Sequence, residues 1–147
     1  MVEANDQPEK QVILAVDDTP DNLALISGVL KDHYKVKVAT NGTDALHIAF
    51  STDPPDLILL DIMMQGMDGY EVCRQLKSDS QTSDIPVIFL TAMTAVIDEA
   101  KGFELGAADY ITKPIRTPVL LARIATHLRL KRATDYMKAK LEDANLL

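Results

Sequence analysis

Four consecutive apolar residues, Leu57-Ile58-Leu59-Leu60, lie between Pro54-Pro55 and a loop that carries Gly66 and Gly69. The run is too short for a helix of ordinary length. It reads as a strand buried on both faces, and such strands belong to parallel sheets covered by helices above and below. Its carboxyl end is Asp61. In open α/β sheets the chemistry gathers at the carboxyl ends of the strands, so Asp61 is the first candidate for function.

The pattern recurs along the chain. Residues 11–16 (QVILAV) form a second apolar run that ends in Asp17-Asp18, and Thr19-Pro20 then supplies a helix N-cap with proline at the first helical position. Leu23, Ile26 and Leu30 follow at helical spacing. Residues 34–38 (YKVKV) alternate polar and apolar, which marks a strand at the sheet edge. Asn41-Gly42 marks a turn, and Ala45, Ile48 and Ala49 give the next helix a narrow apolar stripe. After the Asp61 strand, Asp68-Gly69 opens a helix carrying Val72, Cys73 and Leu76. Residues 86–90 (PVIFL) are a fourth strand ending at Thr91, residues 95–105 a helix closed by Gly106, and residues 108–112 a fifth strand ending at Lys113-Pro114. Thr117-Pro118 repeats the cap-and-proline signal and launches a last helix through Leu130 and beyond.

Five strands alternating with five helices imply a doubly wound parallel sheet. Only the second strand alternates, which places it at an edge. The flavodoxin-like order 2-1-3-4-5 does this and sets the first and third strands side by side. Asp17, Asp18 and Asp61 then meet at the switch point, with Thr91 and Lys113 on neighbouring strand ends.

Clustered carboxylates repel one another, and desolvation adds to the cost. A hard cation relieves both, and oxygen ligands with sites left for water suit Mg²⁺. A carboxylate at such a site can attack phosphorus to give an aspartyl phosphate. Lysine then offers a compact charge to the phosphoryl oxygens, and threonine a hydroxyl.

This ordered set closely resembles the receiver domain of bacterial response regulators. The resemblance is carried by Asp17-Asp18, Asp61, Met67-Asp68-Gly69, Thr91, Gly106-Ala107-Ala108-Asp109-Tyr110 and Lys113-Pro114, and covers roughly residues 11–130. It implies that Asp61 is the phosphoacceptor, supplied by a sensor histidine kinase or phosphotransfer protein. It implies Mg²⁺ held by Asp18 and Asp61, by Asp17 through water, and by the backbone carbonyl of Met63. Lys113, Thr91 and Ala92 would contact the phosphoryl group, and Pro114 would follow a cis bond. Thr91 and Tyr110 match the switch pair: the hydroxyl moves toward the phosphoryl group and the ring turns inward. That movement would remodel the surface of the fourth helix, fifth strand and fifth helix, used for dimerisation or output. One departure stands out, because Gln65 occupies a position that is commonly proline in the family, which leaves the rigidity of that loop in question. Met63 and Met93, two residues after Asp61 and Thr91, cannot hydrogen-bond an attacking water, so slow self-dephosphorylation is expected.

Composition sets limits. A net charge of −7 disfavours direct nucleic-acid binding, no apolar run reaches the length of a membrane span, and a single cysteine, Cys73, suits a reducing cytoplasm. Residues 1–10 are read as a flexible tail, 11–130 as the receiver, and 131–147 as a helical extension. Beyond Leu130, Thr134, Met137, Leu141 and Ala144 recur at alternating spacings of four and three, about two heptads. This suggests a helix that pairs in a homodimer and leads toward an output domain absent from the chain, which reads as a fragment of a longer regulator. His33, His47 and His127 show no metal or catalytic spacing. The competing class is an enzyme, a haloacid-dehalogenase-like phosphatase with Asp17 as nucleophile. It needs a second aspartate where Thr19 stands, and no later acidic metal pair is evident. A flavodoxin-like cofactor module would need a hydroxyl-rich phosphate loop after the first strand, which is missing.

Overall fold

The computed structural model describes residues 10–92 and 99–144. Strands β1 (Val12–Val16), β2 (Lys35–Ala39), β3 (Leu57–Asp61), β4 (Val87–Ala92) and β5 (Asp109–Lys113) alternate with helices α1 (Pro20–Leu30), α2 (Gly42–Ala49), α3 (Gly69–Lys77), α4 (Glu99–Glu104) and α5 (Thr117–Asp143). All strands run parallel in the order β2-β1-β3-β4-β5, the flavodoxin-like receiver fold expected from the alternating pattern of β2.

The apolar runs divide their side chains between two cores because successive strand residues point to opposite faces. Leu14, Val16, Ile58, Leu60, Val87 and Phe89 pack against α2 and α3 through Ala45, Ala49, Val72, Cys73 and Leu76. Ile13, Ala15, Leu57, Leu59, Ile88 and Leu90 pack on the other face against Leu23, Ile26 and Leu30 of α1 and Leu120, Ile124 and Leu128 of α5. Strands β1 and β3 are buried along their whole length, whereas Lys35 and Val38 of β2 face solvent at the edge.

Some element ends differ from expectation. Asn41 is an N-cap as well as a turn residue, since its side chain accepts a 2.8 Å bond from the Asp44 N–H. Helix α5 is capped by Arg116, and both Thr117 and Pro118 lie inside its first turn, where a missing or unpaired N–H costs no helical bond. The described part of α4 is Glu99–Glu104; the expected residues 95–98 lie outside the described residues, as do Met93 and residues 1–9 of the tail. The expected closure of α4 is present: Gly106 has φ +101°, with Gly106 N–H donating to Phe103 O and Ala107 N–H to Gly102 O, both at 3.0 Å.

Helix α5 continues without a break past residue 130 to Asp143. Its last four turns carry Leu130, Tyr136, Met137 and Leu141 exposed, and Lys138 pairs with Asp84 in the α3–β4 connection. No helix among the described residues is long and apolar enough to cross a membrane.

Candidate functional site

The carboxyl ends of β1, β3, β4 and β5 converge at one edge of the sheet. Asp61 is the last residue of β3 and Asp17 follows the last residue of β1; both side chains are buried, while Asp18 is exposed. One carboxylate oxygen from each of the three lies within 4.8 Å of the others. Lys113, at the end of β5, donates to Asp17 Oδ2 at 3.0 Å and stands 3.6 Å from Asp61 Oδ1. Thr91, fully buried, sits in register with Thr112 near the end of β4, and its hydroxyl makes a long 3.5 Å contact with the carbonyl of half-buried Ala92. The Lys113–Pro114 bond is cis.

Backbone groups hold the carboxylates in place. Thr19 N–H donates to Asp17 Oδ1 at 2.9 Å, Met63 N–H to Asp61 Oδ1 at 3.2 Å and Gln65 N–H to Asp18 Oδ2 at 3.3 Å. The loop after β3 is thus tied down without a proline at position 65, and Gly66 supplies its left-handed residue at φ +77°. The loop closes through a bond from Gly69 N–H to Ile62 O at 2.9 Å. A Cβ on Gly69 would lie 2.4 Å from the Asp61 carbonyl oxygen, so only glycine lets α3 start this close to the β3 terminus.

The sequence reading missed Asn22, whose side-chain amide donates to Asp17 Oδ2 at 3.2 Å from the first turn of α1. Its spacing five residues after Asp17 was the available signal, but apolar periodicity carries no information about it. His127, assigned no role, hydrogen-bonds Asp109 at 3.0 Å beside Arg123, outside the acidic site. Met63 projects a 64% exposed side chain next to the site. Tyr110 lies away from the carboxylates in an aromatic cluster with Phe89 and Phe103, and it is already buried.

Burial, and after it the negative charge of Asp17, push the Asp61 carboxyl up to about 6; Lys113 and the Met63 N–H pull it down, and Asp18 adds a smaller upward push. Oxygen donors, excess negative charge and one ammonium fit a hard divalent cation such as Mg²⁺, which would offset the repulsion that raises Asp61.

Residues 13–125 match the family described as Response regulator receiver domain. The chain is 50% identical over 125 residues to a Vibrio cholerae serotype O1 protein named "Probable cyclic di-GMP phosphodiesterase", covering 85% of this chain and 28% of that one. It is 43% identical over 129 residues to Response regulator PleD of Caulobacter vibrioides, covering 87% and 28% respectively. The solved structure of Vibrio cholerae chemotaxis protein CheY4 matches with a TM-score of 0.74 at 30% identity, over 80% of this chain and 98% of that one. The chain spans less than a third of the length of these curated relatives.

The raised Asp61 value has a consequence for stability without metal. Its folded value of about 6 lies above the usual 3.8, so the ionised carboxylate opposes folding at high pH, and the penalty fades as pH falls from 6 toward 4. In EDTA at pH 8, Asp61→Asn is expected to stabilise the fold by roughly 1–2 kcal/mol, allowing for partial solvation of the site, and to do so far less at pH 4. Urea unfolding at the two pH values checks this; equal gains at both would show that charge is not the cause.

Proposed function

This chain belongs to the response regulator receiver domain family of two-component signalling, and from that premise we propose that it is a switch set by phosphorylation of Asp61. The observation that carries the reading is the convergence of Asp17, Asp18 and Asp61 with Lys113 at the ends of three strands. The donor is a phosphohistidine on a sensor kinase or phosphotransfer protein. An Asp61 carboxylate oxygen attacks phosphorus, the P–O bond forms as the P–N bond breaks, and the imidazole leaves with the electron pair.

Asp61, Asp18 and the Met63 carbonyl would hold Mg²⁺ directly, with Asp17 acting through water. When bound, the ion neutralises charge on the phosphoryl oxygens. Lys113 is already poised between Asp17 and Asp61, and its ammonium pairs with the phosphoryl group. Thr91 donates its hydroxyl and Ala92 its backbone N–H to the same oxygens. The Thr91 shift acts on Tyr110 and so on the surface made by α4, β5 and α5, which controls an output domain or partner. The receiver body is residues 11–130, and residues 131–147 serve as the extension toward that output.

A second reading concerns α5. Its exposed Leu130, Met137 and Leu141, with Thr134 between them, form a continuous seam on the extension, which favours homodimer pairing there alongside the α4-β5-α5 face.

Three outcomes follow. Incubation with acetyl phosphate is expected to add one phosphoryl group by intact mass, requiring Mg²⁺ and lost in EDTA or in Asp61→Asn; an adduct that survives Asp61→Asn would point to another nucleophile. Met63→Asn, which gives the attacking water a polar neighbour, is expected to shorten the lifetime of the Asp61 phosphoryl group severalfold in a decay assay, and an unchanged or longer lifetime would exclude this role for Met63. Sedimentation across a concentration series is expected to reveal a dimer that Met137→Glu weakens; a monomer at every concentration, phosphorylated or not, would remove the pairing.

A further inference from the structure

Glycine in a helix interior weakens the helix, so Gly102, inside the described part of α4, calls for a cause. Its φ is ordinary, so backbone strain is not the reason. Space is. A Cβ built on Gly102 would stand 1.8 Å from the Tyr110 hydroxyl oxygen, 2.8 Å from Tyr110 Cζ and 3.1 Å from Phe89 Cε2. The Tyr110 ring therefore lies under the α4 backbone with its hydroxyl against Gly102. The ring packs between Phe89 and Phe103, with ring centroids at 5.4 and 5.2 Å. Tyr70 braces Phe89 edge-on at 5.4 Å, and the Lys101 ammonium lies 4.7 Å above Tyr70, so the neighbour of Gly102 is bound to the same cluster.

The chain geometry makes this contact mechanical. Gly102 accepts the Ala107 N–H at 3.0 Å, closing α4, and Ala108 N–H then bonds Val87 O at 2.8 Å, starting β5. Tyr110, second in β5, folds back beneath the same Gly102. The end of α4 and the start of β5 thus form a closed loop whose interior is filled by the tyrosine ring.

We propose that Gly102 is the positioning residue of the Tyr110 switch: it keeps open the seat for the inward ring, so that the inward ring and the docked α4 are one state. The inference rests on the reading of Tyr110 as a switch residue. It adds that the ring cannot enter unless α4 presents a residue without a side chain, and that an outward ring frees the end of α4.

A thermodynamic cycle tests the contact itself. Gly102→Ala is expected to lower the unfolding midpoint when Tyr110 is present. In a Tyr110→Ala background, or Tyr110→Val should that chain not fold, the same change is expected to raise the midpoint, because alanine favours helix. A second measurement reads the switch, with 3-fluorotyrosine in the full chain and the Tyr110 signal assigned through Tyr110→Phe. Gly102→Ala is expected to move that fluorine signal to an exposed position and to abolish its response to beryllofluoride with Mg²⁺, while the acetyl phosphate adduct on Asp61 still forms. An unmoved fluorine signal, or an equal loss of midpoint in both backgrounds, would overturn the proposal. If beryllofluoride leaves the Tyr110 signal of the unsubstituted chain unchanged, the switch reading fails by itself, and the cycle still decides whether Gly102 seats the ring.

Discussion

Asp17, Asp18 and Asp61 present oxygens within 4.8 Å of one another at the end of the sheet, and the ammonium of Lys113 sits against two of them. At about 4 Å and an effective dielectric of about 20, two like charges repel by roughly 4 kcal/mol. One lysine cannot cancel three carboxylates, so the site is left with a surplus of negative charge that invites a cation. Everything around it serves to keep those groups together despite the repulsion. The backbone donors of Thr19, Met63 and Gln65 and the Asn22 amide spread the load over four separate bonds. Two fully buried strands, β1 and β3, give the carboxylates a rigid mount. A site that is unfavourable when empty is one whose occupancy changes the energy of the whole fold, which suits a switch better than a static scaffold.

Much of this could be read from the residues because the physics that sets it is local and periodic. A run such as Leu57–Leu60 has few alternatives once helices are excluded by length, and the alternation in YKVKV places β2 at the edge, as does the flavodoxin-like order, which sets β1 beside β3. The strand order then brings the acidic residues together without further information. Features that depend on three-dimensional proximity were hidden. Asn22 lies on a helix chosen for its apolar positions, yet its role comes from pointing back at Asp17. The start of α5 moved to Arg116 because threonine and proline are tolerated at several first-turn positions, so the signal identifies the turn and not the cap. Gly102 looks like a mere weakness in a helix pattern until the Tyr110 hydroxyl is seen beneath it.

The route from the acidic site to the surface is short. Thr91 and Tyr110 lie on adjacent strands, β4 pairing Phe89 with Tyr110 and Thr91 with Thr112. Phe89 is fully buried between Tyr70 and Tyr110, so a movement of β4 presses directly on an aromatic stack. Close-packed interiors respond to such pressure by changing arrangement and not by gradual compression. Tyr110 is buried in this structure, so the fold contains a seat for the inward ring. A group that moved β4 would bias a position the fold already contains, as population shift requires.

What lies beyond the sheet depends on α5. Its first half is fixed by Leu120, Ile124 and Leu128, all buried, and the helix continues to Asp143 without proline or glycine to kink it. Lys138 reaches back to Asp84, but both partners are about half exposed, and ion pairs of that kind add little. The direction of the extension is therefore set by the continuity of the helix and by the packing of its first half, not by that contact. From Leu128 to Asp143 the helix extends roughly 22 Å at 1.5 Å per residue. Over that length a rotation of a few degrees at the α5 base displaces the far end by an ångström or two. Since α5 packs on the same sheet face as Ile88 and Leu90 of β4, the strand that ends at Thr91 and the helix that carries the seam share one core. The strand that ends beside the acidic site and the helix that carries the extension thus meet in one packed core.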